Sequence, residues 1–300
     1  MRYLFLGILF CTTLNLRGQE KTHLTNIEAN LFYGTILEHN PDIAHLITDH
    51  PTGLILSYNK KTYGFEPWES RYNYPDYGFS FTYQDLKNYY LGENYGFYAH
   101  FNFYFFKRNL MFRIGQGIAY ATKPYDKEDN FINNAYGSRL MSSTYIMGNY
   151  KKENLWKGVG LQGGFTIIHY SNANFKAPNN STNTFVFNVG ANYLFDYEQE
   201  PEYQPSTEEK KFTEPIRYNI AFRGGINESD VVNSGQFPLY TFSIYADKRI
   251  NRKSALQFGT EAFFATFLKE LIYYKSVAFP EENVSGDEDW KRLGIFIGHE

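Results

Sequence analysis

Residues 95–106 (YGFYAHFNFYFF) and 185–197 (FVFNVGANYLFDY) indicate the fold class, because an apolar or aromatic side chain occupies every second position in both. A period of two is typical of a β-strand whose two faces meet different surroundings. The same period recurs in residues 217–226 and 239–247, whereas no segment shows an equally clear helical period. The chain is therefore predicted to consist mainly of β-strands.

Composition points to strands that cross a membrane. The 300 residues are 19% aromatic, with 27 Tyr and 28 Phe, yet the mean hydropathy is only -0.48. No run after residue 14 approaches the roughly 18 to 20 apolar residues that a spanning helix needs. Transmembrane strands of about ten residues, apolar outside and polar inside, combine high aromatic content with low hydropathy, although a soluble β-sandwich shows the same alternation. We therefore predict an all-β, antiparallel transmembrane β-barrel of the outer-membrane type, with about twelve strands and a range of 8 to 14.

The first eighteen residues resemble a secretory signal peptide. A basic Arg2 precedes the apolar residues 3–14, and the small Gly18 precedes polar Gln19. Removal of residues 1–18 takes away the single cysteine, Cys11, and the two positive charges of Arg2 and Arg17, so the formal charge moves from -3 to -5. The mature chain then has no thiol chemistry and no basic surface suited to nucleic acid.

Residues 19–300 are predicted to form a single β-barrel domain. The final segment, RLGIFIGHE, reads as a further strand and lacks the terminal aromatic residue common in outer-membrane barrels. We therefore expect the sequence to stop short of the native C-terminus.

The candidate chemistry lies in residues 163–193. His169 and Ser171 are two residues apart, so on a strand both side chains point to the same face, where the imidazole can take a proton from the hydroxyl. That face is otherwise apolar and is predicted to face lipid, as does Asn183 in the next strand. Between them, the segment NANFKAPNNST supplies amides and Lys176, which suit an oxyanion hole and an anionic head group. A non-catalytic hairpin at the barrel rim accounts for the same pattern.

The segment HYSNANFKAPN, residues 169–179, resembles the signature of the lipid A 3-O-deacylases, the PagL-like acyloxyacyl hydrolase barrels of Gram-negative outer membranes. Members of that family are serine esterases that remove the acyl chain ester-linked at the 3-position of lipid A. The resemblance implies that Ser171 is the nucleophile, His169 the general base, Asn179 part of the oxyanion hole and Asn172 a support for the loop. The matching positions are His169, Ser171, Asn172, Ala173, Lys176, Pro178 and Asn179.

The chain departs from the family at one position. The acidic residue of the family lies twelve positions after the serine, where this chain has Asn183. An amide in place of the acid costs about ten-thousand-fold in a serine protease, whereas Cys-His-Asn hydrolases use an amide. We therefore expect Asn183 to permit activity, with Glu198, Glu200 and Glu300 as alternative acids.

These residues predict a carboxylic ester hydrolase that removes an ester-linked acyl chain from lipid A through Ser171 and His169. The predicted partner is lipid A or lipopolysaccharide in the outer leaflet, bound in part by Lys176. No cofactor and no metal is expected. Three histidines, His39, His45 and His50, lie near Asp42 and Asp49 in the sequence. Their separations of six and five residues fit no usual zinc pattern and indicate a solvated turn.

Two other functions remain open from the sequence. A non-enzymatic barrel, acting as a channel, adhesin or structural protein, would use Arg223, Asp247 and Glu261 either to line a pore or to plug it by ion pairing. An outer-membrane phospholipase would use the same Ser-His machinery on a glycerophospholipid. The sequence does not specify the oligomeric state.

Overall fold

The structure is a computed structural model that describes residues 23–207 and 212–300; the predicted signal peptide, residues 1–18, lies outside the described part. Its strands are β1 Thr25–Leu37, β2 Thr52–Lys60, β3 Asp76–Asp85, β4 Glu93–Phe105, β5 Leu110–Ala121, β6 Leu140–Trp156, β7 Val159–Ser171, β8 Thr182–Leu194, β9 Arg217–Glu228, β10 Gln236–Asn251, β11 Ser254–Ala265 and β12 Lys291–His299. The helices are α1 Pro67–Arg71 and α2 Thr266–Ala278, and 3-10 turns cover Pro41–Leu46, Tyr197–Gln199 and Pro280–Glu282.

Strands β1 to β8 form a closed antiparallel barrel, because β8 pairs with β1 as well as with β7. Strands β9 to β12 form a separate antiparallel sheet in the order β12-β11-β10-β9. The predicted all-β antiparallel class is confirmed. The predicted count of about twelve barrel strands is not confirmed, since closure of β8 onto β1 leaves no free barrel edge for β9. The assignment of residues 19–300 to a single domain stays a prediction.

The two faces of the barrel strands differ as their alternation predicts. Buried and exposed side chains alternate along β4, with the apolar or aromatic ones outside and the polar ones among those inside. Aromatic rings cover the outer face across neighbouring strands: Phe79 stacks on Phe97 at 5.9 Å between ring centroids, and Phe165 on Phe185 at 5.4 Å. These cross-strand contacts add to strand pairing.

The barrel interior is filled by paired polar and charged side chains. Glu28 accepts from Arg113 at 2.7 Å and from Lys151 at 2.8 Å, and all three side chains are fully buried. Lys151 also pairs with Glu153 at 2.8 Å, and Glu153 with Lys61 at 2.6 Å. Buried charges are tolerated when each has a partner of opposite sign. The network therefore closes this part of the lumen.

The two ends of the barrel carry connections of different length. At one end β6 and β7 are joined by only Lys157 and Gly158 and β4 and β5 by residues 106–109, while the longer residues 61–75, which include α1, join β2 to β3. At the other end the loops are residues 38–51, 86–92, 122–139 and 172–181. We call these two ends the turn end and the loop end. Among the helices of the described residues, none has the length and apolar character needed to cross a membrane.

The three residues that the sequence suggested as the lining or plug of a pore lie on the second sheet. Arg223 donates to Ser243 at 2.9 Å and pairs with Glu261 at 3.1 Å, while Asp247 accepts from Asn219 at 2.6 Å. They lie on the polar face of β9, β10 and β11, whereas the closed lumen is built from β1 to β8. The predicted position of Arg223, Asp247 and Glu261 inside the closed barrel is therefore wrong.

Candidate active site

His169 and Asn183 face each other across β7 and β8 at the loop end of the barrel. The two residues are register partners, and His169 Nδ1 lies 2.7 Å from Asn183 Oδ1. A carbonyl oxygen can only accept a hydrogen bond, so the proton of the neutral ring lies on Nδ1. The contact thereby leaves the lone pair of Nε2 available to accept a proton.

Ser171 lies two residues beyond His169 on the same outward face of β7. Its Oγ accepts from Asn179 Nδ2 at 3.0 Å and from the backbone N–H of Ala173 at 3.1 Å. Its hydroxyl donates to Asn179 Oδ1 at 3.2 Å, and no hydrogen bond of the described residues joins it to His169, so the hydroxyl must turn from Asn179 toward the imidazole before it can transfer a proton there. Asn179 and Ala173 thus place two N–H donors beside the Ser171 hydroxyl.

The loop between β7 and β8 is folded tightly around these donors. Ala173 and Asn174 both have a positive φ, 56° and 57°, which turns the chain back toward Ser171. Asn172 donates through Nδ2 to the carbonyl of Lys176 at 2.6 Å, and its backbone N–H donates to Asn179 Oδ1 at 3.0 Å. Asn172 therefore supports the loop, and Asn179 is oriented by a fixed backbone group.

Neighbouring loops support the β7–β8 loop from the side. The backbone N–H groups of Asn180 and Ser181 donate to the carbonyls of Asn134 and Ala135 at 3.2 and 3.1 Å. Gly137 approaches so closely that a Cβ there would lie 2.3 Å from the carbonyl oxygen of Lys176. The β5–β6 loop therefore fixes the β7–β8 hairpin from one side.

The second sheet also holds this loop, a contact that the sequence does not predict. Glu228, at the end of β9, accepts from the backbone N–H of Ala177 at 2.7 Å and donates its own N–H to the carbonyl of Asn174 at 2.8 Å. Gln236, at the start of β10, donates to the carbonyl of Phe175 at 2.8 Å. Glu228 is almost completely buried by these contacts. No local sequence signal marks Glu228, because its role depends on where β9 docks.

Lys176, the predicted head-group residue, is exposed at the tip of the loop. Its charge contributes to lowering the pKa of Asp126, although the main cause is hydrogen bonding from the backbone N–H groups of Asp129 and Glu128. Lys176 therefore lies on the solvent side of the site, with an ionised carboxylate in its surroundings.

The alternative acids do not lie beside His169. Glu198 accepts from Tyr197 at 3.1 Å, and Glu200 pairs with Lys61 at 3.0 Å beyond the turn end of β2. Glu300 accepts from Gln257 of the second sheet at 3.3 Å. Of the four candidates, only Asn183 contacts the imidazole.

The other loop histidines contact backbone carbonyls rather than one another. His39 lies 3.1 Å from the carbonyl of Asn180, His45 lies 2.9 Å from that of Ile132, and His50 lies 2.9 Å from that of Gly34. Within residues 23–207 and 212–300, no group of three His, Cys, Asp or Glu side chains is arranged to hold a metal ion. His39 instead adds a further contact to the β7–β8 loop.

Together these groups have the chemistry of nucleophilic acyl transfer. A hydroxyl, an imidazole with a free Nε2 and several N–H donors lie within one strand end and one loop. Such a set can form and stabilise a tetrahedral oxyanion. All of it lies on the outer surface of the barrel, so the serine is accessible from outside the barrel and not from its interior.

Comparison with known proteins gives a match to a family model and matches to solved structures. The family model described as lipid A 3-O-deacylase (PagL) matches residues 52–192, which run from the start of β2 into β8. The crystal structure of Neisserial surface protein A (NspA) matches with 11% identity and a TM-score of 0.35, covering 57% of this chain and 97% of that one. No curated protein matches the chain.

The matched residues include the hairpin on which the sequence resemblance was based, with Ser171, His169, Asn179 and Asn183 inside the matched range. The resemblance is therefore confirmed: over residues 52–192, seven of the eight barrel strands, this chain is similar to the lipid A 3-O-deacylase (PagL) family.

Proposed function

We propose that the chain is an outer-membrane ester hydrolase that removes an ester-linked acyl chain from lipid A. The observation that carries the proposal is the outward-facing set of Ser171, His169, Asn183 and Asn179 at the loop end of the barrel, within the range that the family model matches. The apolar and aromatic outer face gives a surface that a bilayer can cover. The loop end then lies at the outer leaflet, because outer-membrane barrels carry their longer loops outside.

The reaction begins when Ser171 Oγ attacks the ester carbonyl carbon and its proton passes to His169 Nε2. Asn179 Nδ2 and the backbone N–H of Ala173 stabilise the oxyanion that forms. The C–O bond to the sugar then breaks, and the leaving oxygen takes the proton from His169. Water, activated by the same imidazole, hydrolyses the acyl-enzyme and releases a fatty acid. Asn183 keeps the imidazole oriented throughout through its contact with Nδ1.

Mass spectrometry of lipids from isogenic cells that express the wild type or Ser171→Ala tests this proposal. We expect the wild type to remove one hydroxyacyl chain from lipid A and Ser171→Ala to remove none, because the nucleophile is lost while the fold is kept. Heat-modifiable migration on gels checks that both barrels fold. Deacylation by Ser171→Ala at the wild-type rate would contradict the assignment of the nucleophile.

The same measurement separates the alternatives. Loss of an acyl chain from glycerophospholipid, with lipid A unchanged, would indicate a phospholipase. Unchanged lipids in both strains, with ion conductance in planar bilayers, would indicate a channel. We do not favour a channel, because Glu28, Arg113 and Lys151 fill the described lumen with paired charges.

A further inference from the structure

A row of neutral polar side chains continues from the candidate active site around the outside of the barrel. Gln116 of β5 is the register partner of Thr144 of β6. Thr144 is in turn the partner of His169 of β7, which is the partner of Asn183 of β8. Ser142 of β6 is likewise the partner of Ser171. Gln116, Ser142 and Thr144 point outward with the candidate catalytic residues. We call these three side chains the polar cluster.

The polar cluster lies among apolar side chains on the same outer face. The next outward-facing row toward the turn end is apolar. It consists of the register partners Ile114, Ile146, Ile167 and Phe185 on β5, β6, β7 and β8. Apolar side chains also lie on the rim side, where Ile118 and Leu140 are 58% and 64% exposed. The outward residues of β3 between its ends, by comparison, are aromatic: Tyr77, Phe79, Phe81 and Tyr83. The cluster therefore interrupts an apolar surface at the level of the candidate nucleophile.

The three side chains form hydrogen bonds with one another but keep capacity for a ligand. Gln116 Nε2 donates to Ser142 Oγ at 3.2 Å, and Thr144 Oγ1 donates to Gln116 Oε1. Ser142 acts only as an acceptor in these contacts, so its hydroxyl proton is available. The second amide proton of Gln116 and the lone pairs of Thr144 are available in the same way. Polar groups facing hydrocarbon are costly unless they are paired, so a ligand that satisfies them gains affinity.

We propose that the polar cluster is a substrate subsite that binds the amide linkage of the acyl chain next to the ester that is cleaved. The proposal rests on the proposed lipid A deacylase function. Neighbouring strands lie about 4.8 Å apart, so Thr144 is about one strand spacing from His169 and Gln116 about two. In an acylated glucosamine, the amide and the ester are attached to adjacent ring carbons, which fits a subsite beside the nucleophile.

The chemistry of the polar cluster selects an amide over an ester. A glutamine beside two hydroxyls offers donors and acceptors together, which complement both the N–H and the carbonyl of an amide. An ester has no N–H and leaves the acceptor side of the cluster unsatisfied. All three side chains are neutral, so they bind a neutral linkage rather than a phosphate. A glycerophospholipid, whose two chains are both ester-linked, lacks the group that the cluster recognises.

Competition binding measured by native mass spectrometry tests the subsite without turnover. The full chain with Ser171→Ala is kept in detergent micelles, so that bound lipid is not hydrolysed. The two probes are a glucosamine 1-phosphate with one amide-linked and one ester-linked hydroxyacyl chain, and the same compound with both chains ester-linked. We expect about a tenfold preference for the amide probe, the effect of one or two neutral hydrogen bonds. Adding Gln116→Leu and Thr144→Val should abolish the preference.

Thr25→Val in the same Ser171→Ala chain is the matched control, because Thr25 lies at the turn end of β1 and should leave the preference unchanged. Gln116→Leu alone is a second variant that places an apolar side chain on an apolar surface, and it should reduce the preference about threefold. Equal affinity of the Ser171→Ala chain for both probes, or an unchanged preference after Gln116→Leu and Thr144→Val, would overturn the subsite. Failure of the wild type to release fatty acid from the amide probe would instead contradict the deacylase function.

Discussion

In the proposed mechanism, Asn183 takes the place of the acid that orients the histidine of a serine esterase, and it orients the imidazole without supplying a negative charge. Its Oδ1 lies 2.7 Å from His169 Nδ1, so the tautomer that leaves Nε2 free is favoured. A carboxylate at the same place would in addition stabilise the imidazolium that forms when Ser171 is deprotonated. We therefore predict that the rate is limited by the missing negative charge beside the imidazolium and not by the orientation of the ring.

Replacing Asn183 tests whether its residue position acts by orienting the imidazole or by stabilising its charged form. We expect Asn183→Asp to raise kcat by at least about tenfold, because a carboxylate beside the imidazole stabilises its charged form. Asn183→Leu, which is close in size, should lower kcat, because the ring loses its orienting contact at Nδ1. The measurement is the initial rate of fatty acid release from lipid A in micelles. A wild-type rate in Asn183→Leu would show that the hydrogen bond has no role.

At the scale of elements, two different sheets hold the β7–β8 loop. The β5–β6 loop contacts it through Asn134, Ala135 and Gly137, and the β9–β10 hairpin contacts it through Glu228 and Gln236. The backbone N–H of Ala173 and the side chain of Asn179, which the backbone N–H of Asn172 orients, form the candidate oxyanion hole, so their positions depend on both supports. The second sheet is therefore predicted to influence catalysis through loop geometry.

Glu228→Ala tests the contribution of the second sheet. Loss of the carboxylate leaves the backbone N–H of Ala177 without its partner, and we expect kcat to fall about tenfold with little change in KM. Glu228→Gln keeps one acceptor oxygen and should restore most of the rate, which a general loss of structure would not allow. Glu261→Gln on the same sheet is the control, because Glu261 pairs with Arg223 and Ser243. Equal rates in Glu228→Ala and the wild type would exclude a positioning role.

At the scale of the whole molecule, the barrel is stabilised from inside by charge pairing and from outside by an apolar surface. Glu28 is the shared partner of Arg113 and Lys151, both fully buried. Its removal would leave two cations competing for fewer acceptors inside the lumen. Such uncompensated burial is among the larger destabilising effects that a single substitution can have.

Glu28→Leu should lower the stability of the barrel by roughly 3–5 kcal/mol, the usual cost of breaking a buried ion pair from one side. The measurement is the urea midpoint of unfolding in detergent, followed by tyrosine and tryptophan fluorescence. Asp85→Asn is the matched control, because it breaks the half-exposed pair with Lys87 at the barrel rim and should leave the midpoint nearly unchanged. Equal midpoints for the wild type and Glu28→Leu would mean that the lumenal network does not stabilise the fold.

The strands, their two faces and the residue types of the candidate site could be predicted from residue order alone. Alternation is a local property, because successive side chains of a strand point to opposite faces, so the outward direction of His169 and Ser171 follows from residue order. Residue order did not predict that β8 pairs with β1; this pairing closes the barrel at eight strands and leaves Arg223, Asp247 and Glu261 outside it. The tertiary structure also decided which side chains meet across strands and sheets: Gln116 and Thr144 beside His169, and Glu228 against Ala177. Register, closure and docking depend on pairing between distant segments, and no local pattern specifies which edges meet.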